Sequence, residues 1–196
     1  MKLKKAELYL GILAPVYSLL LVFISAEISP GFSWVNNYLS DIGGGKFGPL
    51  PQELFNLALI TGGLLLILFS IVLIMNNRGK IILSISSIVI MLASISFMLI
   101  GVFTEGSPLH YPVSMGFFLL MPVAIIIASV HYYGKKNAFM AFSIFMAVIS
   151  ILVIMELPLG MGKAIPEYVE ALLLSIWIIA FVIFRNDEKI LNRIVK

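Results

Sequence analysis

Two carboxylates and an imidazole, Asp41, Glu105 and His110, are the side chains of this sequence best suited to chemistry. They fall in two polar segments, NNYLSDIGGG and GVFTEGSPLH, each set between long apolar runs. The three could ligate a divalent metal, with water completing the shell. They could equally serve as acid and base on a lipid headgroup, because histidine titrates near neutrality. The competing reading is an ion-paired lid, in which Asp41 and Glu105 hold His110, Lys46 or Lys163. A hydrolase triad of Ser40, Asp41 and His110 is disfavoured: Ser40 and Asp41 are chain neighbours, and no nucleophile-elbow pattern surrounds the serine. Asn37, Ser40, Asn56 and Glu170 complete the candidate binding set. The only histidines are His110 and His131 and cysteine is absent, which excludes a multi-histidine cage and all thiolate chemistry.

The elements that must position these groups follow from composition. Of 196 residues, 61% are hydrophobic and 12% charged, and the mean hydropathy is +1.09. A soluble domain is closer to half apolar and about a quarter charged. A soluble enzyme, a disordered tail and a nucleic-acid binder are thereby excluded. Crossing a bilayer takes about 20 apolar residues. Six runs come near that length: residues 8–26, 54–75, 81–103, 113–133, 138–155 and 168–184. The expectation is an all-α, polytopic integral membrane protein, a six-helix bundle forming a single membrane domain over residues 1–196. The basic leader MKLKK is followed by no small-residue cleavage pattern, so the first run reads as a retained helix.

An even number of spans puts both termini on one side. That side carries Lys2, Lys4, Lys5, Arg78, Lys80, Lys135, Lys136, Arg185, Lys189, Arg193 and Lys196, and the other only Lys46 and Lys163. The positive-inside rule makes the crowded side cytoplasmic and points to a multi-pass protein of the plasma membrane. Residues 76–79 and 134–137 read as tight inner turns, whereas residues 27–53 form a long, structured outer loop. Ala6, Glu7 and the tail after Arg185 read as ordinary interfacial ends, the tail continuing as a short amphipathic helix. Glu53, Glu167 and Glu170 stand where helices begin, and their plain reading is helix capping. The mid-membrane portions carry no acid or base, which argues against an ion or proton pump. Small residues repeat along several spans, as in Asn56, Gly63 and Ser70 or Ser84, Ser87 and Ser94. Such stripes predict a packed helix seam, or a homo-oligomer joined through Ser/Gly faces. Pro15 and Pro122 predict kinks.

Three features occur in order: NNYLSDIG with proline and FN opening the second span, GVFTEGSPLH between the third and fourth, and a glutamate-led sixth span with Trp177. In these the chain resembles the uncharacterised prokaryotic membrane family catalogued as domain of unknown function 998. That family shows a Leu-Ser-Asp-Leu-Gly motif and a Gly-x-Phe-Pro-Glu run ending in histidine. The resemblance marks Leu39, Ser40, Asp41, Gly43, Asn56, Gly101, Phe103, Glu105 and His110, and the chain departs from it at Ile42 and Thr104. A more distant likeness exists to the six-span Frag1/DRAM family, through a similar Ile-Ser-Asp-x-Gly loop before the second span. Neither resemblance implies an established activity. The expected function is an outward-facing polar pocket that binds a lipid headgroup, a small solute or a metal. The alternatives are a metal-assisted hydrolase or headgroup transferase and, third, a small-solute transporter.

Overall fold

A computed structural model describes residues 2–155 and 163–194. Within them the chain is helical, with α1 (Lys2–Glu27), α2 (Ser40–Gly43), α3 (Pro49–Asn76), α4 (Ile81–Val102), α5 (His110–His131), α6 (Asn137–Ile154) and α7 (Ala164–Ile194). All but the four-residue α2 are long and apolar enough to cross a membrane, which makes the protein a six-span polytopic helical bundle. Glu156 falls outside the described residues, as do the side chains of the tail beyond residue 186.

The six long helices form a closed ring in the order α1, α3, α4, α5, α6, α7, with α7 packed back against α1. Tight hairpins build most of it. Gly79 (φ 82°) and Gly134 (φ 69°) adopt the left-handed conformation that the two short turns require. Asn77, fully buried, pins the first of these turns by donating from Nδ2 to Ser87 Oγ at 3.0 Å. The chain termini and these turns occupy one end of the ring, here the terminal end. The loop around α2, the α4–α5 connection and the start of α7 occupy the other, the loop end.

The small-residue stripes turn inward. Gly62, Gly63, Ser70, Ser87 and Ser94 are buried within the chain, and Asn56 and Ser84 are partly buried. Most span hydroxyls return to a carbonyl one turn back, as Ser70 does to Leu66 and Ser94 to Ile90. Other hydrogen bonds cross between helices: Ser86 Oγ donates to Ala124 O at 2.8 Å, Thr61 Oγ1 to Tyr17 Oη at 2.9 Å and Trp177 Nε1 to Ser143 Oγ at 3.0 Å.

Four helices begin three or more residues before their apolar runs, the first of them at Lys2 rather than at residue 8. The second spanning helix begins at Pro49 because proline is pre-set for the first helical turn, so Glu53 lies inside it. The fourth begins at His110 and the sixth at Ala164. The tail continues α7 without a break to Ile194. Both α1 and α5 run through their prolines.

The terminal end holds a larger departure from the expected interfacial ends. Glu7 and Arg185 are each 97% buried (3% exposed) and form an ion pair, Arg185 Nε to Glu7 Oε1 at 2.6 Å. Asn76 Nδ2 donates to the other carboxylate oxygen at 2.6 Å. One polar knot therefore ties α1, α3 and α7.

Candidate functional site

The ring encloses a cavity of about 570 Å³ whose lining reaches the loop end. Its rim carries Tyr38, Ser40, Glu105, His110, Lys163 and Glu167. Below the rim the walls are apolar: Leu59 and Leu66 from α3, Phe97 from α4, Met121 from α5, and Leu174 and Ile178 from α7. Ile178 lies fourteen residues beyond Ala164, the first residue of α7; at ~1.5 Å per residue that is about 20 Å of depth. One leaflet of a ~30 Å hydrocarbon layer is about 15 Å thick. The cavity is thus a shaft about as deep as a leaflet, with its charged side chains at the loop end; Ser18, Ser114 and Ser175 also line the walls, each hydroxyl donating to a carbonyl one turn back.

The rim is assembled by close approach of three chain segments. α2 lies across the start of α3, where Asn56 Nδ2 and Gln52 Nε2 both donate to Gly43 O, at 3.1 and 3.2 Å. A Cβ on Gly43 would sit 2.8 Å from Asn56 Oδ1, and one on Gly44 would sit 3.0 Å from Glu105 Cβ. Gly101 in turn allows α4 against α3, since a Cβ there would meet Asn56 O at 2.8 Å. Gly43, Asn56, Gly101 and Glu105 form one continuous contact, and the polar motif residues sit around it. From the far side of the ring, Glu167 Oε2 accepts the Leu39 amide at 2.7 Å. Lys163 N and Ala164 N donate to Val35 O and Trp34 O, each at 3.2 Å. Trp34 packs edge-on against Phe32 and Tyr168, which anchors the outer loop to α1 and α7.

The charged groups of the trio separate into two pairs. His110 Nε2 lies 3.2 Å from Glu105 Oε2, while its Nδ1 lies 2.8 Å from Phe103 O. A carbonyl only accepts, so Nδ1 carries the hydrogen in that bond. The Nε2 contact with the Glu105 carboxylate closes this edge of the rim. Asp41 is turned elsewhere. Its Oδ2 accepts from Tyr38 N at 3.1 Å and pairs with Lys46 Nζ at 3.2 Å. Among the described residues no three His, Asp or Glu side chains converge as a metal set. Ser40 faces the cavity, whereas Asn37 spends its side-chain oxygen on Ser33 N at 2.9 Å. The trio is therefore partly a lid, Asp41–Lys46, and partly a cavity edge, Glu105–His110.

Glu170 lies outside the cavity lining. It is fully buried in α7 and neither carboxylate oxygen has a hydrogen-bond partner. The Trp177–Ser143 bond sets the antiparallel register of α6 and α7. Seven residues along each helix, about two turns, bring Glu170 opposite Ser150, itself buried and unpartnered. A buried polar group without a partner destabilises by about 1–3 kcal/mol. Glu170→Leu is therefore expected to raise stability by about that amount, read as an upward shift of the thermal unfolding midpoint in detergent. An unchanged or lowered midpoint would show that the carboxyl has a stabilising partner.

Two site features carry little sequence signal. The Glu167–Leu39 tether spans 128 positions, and the placement of Lys163 over the Tyr38 ring, 5.0 Å from its centroid, depends on that tether. The nearest hint is the lysine–proline–glutamate order in GKAIPEYVE, which puts a cation and an acid around one helix start.

The architecture and site define a class: a polytopic membrane bundle whose ring of helices encloses an apolar shaft with a polar mouth. The chain belongs to the family described as a protein of unknown function, domain of unknown function 998, whose family model matches residues 12–183. Comparison with curated proteins and with solved structures found no match. The match takes in all the segments that build the rim, from Leu39 to Glu167.

Proposed function

We propose that the protein is a binding protein for a membrane amphiphile, taking the apolar tail into the shaft and holding the head at the rim. The observation that carries this reading is the segregation of the cavity lining: charged side chains at the loop end, and walls below it that are apolar apart from three serines bonded within their own helices. A cavity of about 570 Å³ falls within the ~300–1,000 Å³ range of small-molecule sites. The surrounding bilayer supplies such ligands at high local concentration. Eleven of the thirteen Lys and Arg residues lie toward the terminal end in sequence. The positive-inside rule then places that end in the cytoplasm and the mouth on the outer face of the plasma membrane.

The test is native mass spectrometry of the full chain in mild detergent, dosed with a lysophospholipid. Wild-type protein is expected to carry one amphiphile per chain. Ala171→Trp, which places an indole in the cavity wall, is expected to reduce that population at least tenfold while leaving the thermal midpoint within a few degrees. Adducts of several lipids per chain, equally abundant in Ala171→Trp, would show annular lipid rather than an occupied shaft and would overturn the reading.

A further inference from the structure

The charges at the rim are unequally committed. Asp41 is paired with Lys46, Glu105 faces His110, and Glu167 accepts the Leu39 amide. Each acid of the rim is thus engaged by a group of the protein itself. Lys163 differs. Its backbone is fixed by the bond to Val35 O, and its ammonium stands over the Tyr38 ring, on the cavity lining. Among the described residues no carboxylate lies within ion-pair distance of it. The aromatic face attracts the cation and orients it without neutralising it. Ser40 and Tyr38, also on the lining, add neutral hydrogen-bonding groups beside that charge.

From this we infer that the head of the bound amphiphile is anionic, a carboxylate or a phosphate, and that Lys163 is its ligand. The inference rests on the amphiphile-binding reading above and adds the charge of the ligand to it. Lys163 is exposed at the rim, where a neutral head gains nothing from its charge. A cationic head would meet Lys163 directly, while the acids of the rim are already engaged. An anion forms a charge-assisted hydrogen bond with the ammonium, the stronger kind of contact, and its tail follows the apolar wall.

The test uses four probes with matched tails: a long-chain fatty acid, the corresponding fatty alcohol, a lysophosphatidic acid and a lysophosphatidylcholine. Each is titrated into the full chain and followed by native mass spectrometry and by quenching of tryptophan fluorescence, Trp34 lying beside the mouth. Binding of the fatty acid, of the lysophosphatidic acid, or of both is expected to exceed that of the alcohol by roughly tenfold or more. Lys163→Gln is expected to remove that preference without weakening alcohol binding, and Lys163→Arg to retain it. The tighter of the two anions identifies the source, free fatty acid or phospholipid. Equal binding of acid and alcohol, or a preference that survives Lys163→Gln, would overturn the inference and leave the pocket reading standing. Absence of one-to-one binding for every probe would overturn both.

Discussion

Arg185→Ala is expected to lower stability by about 3–5 kcal/mol, because it strands the Glu7 carboxylate in a buried site. Arg185 and Glu7 are nearly inaccessible to solvent and are joined at 2.6 Å. The Asn76 amide satisfies the second carboxylate oxygen but carries no charge to balance it. Taking an ion pair out of water is costly, so the pair itself is only weak evidence of net stabilisation; the damage comes from removing one partner alone. The double variant Glu7→Leu/Arg185→Leu is accordingly expected to recover most of the loss. Thermal or denaturant unfolding of the wild type, Glu7→Leu, Arg185→Leu and the double variant in one detergent closes the cycle. Additive single losses, with no recovery in the double variant, would show that the two side chains act independently.

The second large effect is steric. Gly63 sits where α3 and α4 approach most closely: a Cβ there would lie 2.6–2.7 Å from Met98 N, Cα and Cβ. Backbone atoms cannot rotate away as the end of a side chain can. Gly63→Val must therefore separate two helices along their length, and overpacking of this kind destabilises by about 1–3 kcal/mol or more. Small residues serve this purpose inside bilayers, where close backbone contact replaces much of the hydrophobic drive for helix association. The neighbouring Gly62 faces a different contact, the Ser18 hydroxyl. Gly62→Ala is the informative comparison, since a single hydroxyl can move. A Gly63→Val protein that unfolds like wild type would mean that the α3–α4 seam is looser than described.

The spans were legible because uninterrupted apolar length is a strong signal; α4 and α6 begin within a residue of their apolar runs. Ends shaped by polar residues were less so. Pro49 and Glu53 belong to a helix although the hydropathy rises only at Leu54. Ring closure was not legible, because it depends on Glu7 meeting Arg185 across 178 positions. Both residues look like ordinary flanks of apolar runs: Glu27 also borders the first span, and Lys189 and Arg193 follow Arg185 in the last helix, so nothing local marked them as a pair. The site shows the same division. Its residues were picked out by type: Ser40, Glu105 and His110 do reach the cavity. Their partners were not. Asp41 takes a cation five residues away and Glu105 an imidazole five residues away, and residue type alone does not say whether such local pairs win over a shared centre. Glu170 was expected to cap a helix or join the site; the first turn of α7 instead has Glu167, and Glu170 lies a turn deeper, in the α6–α7 seam.

The contacts that complete the ring also order its birth. Glu7 enters the membrane with the first helix to be synthesised, and its counter-ion arrives with the last. The Leu39 amide likewise waits for Glu167 before the rim can set. A nascent chain that has inserted five spans therefore lacks the Arg185 guanidinium and carries an open groove, two marks absent from the finished molecule. Until translation reaches the sixth span, the half-built bundle differs chemically from the whole, and the cell's membrane proteases and chaperones have a means of telling them apart.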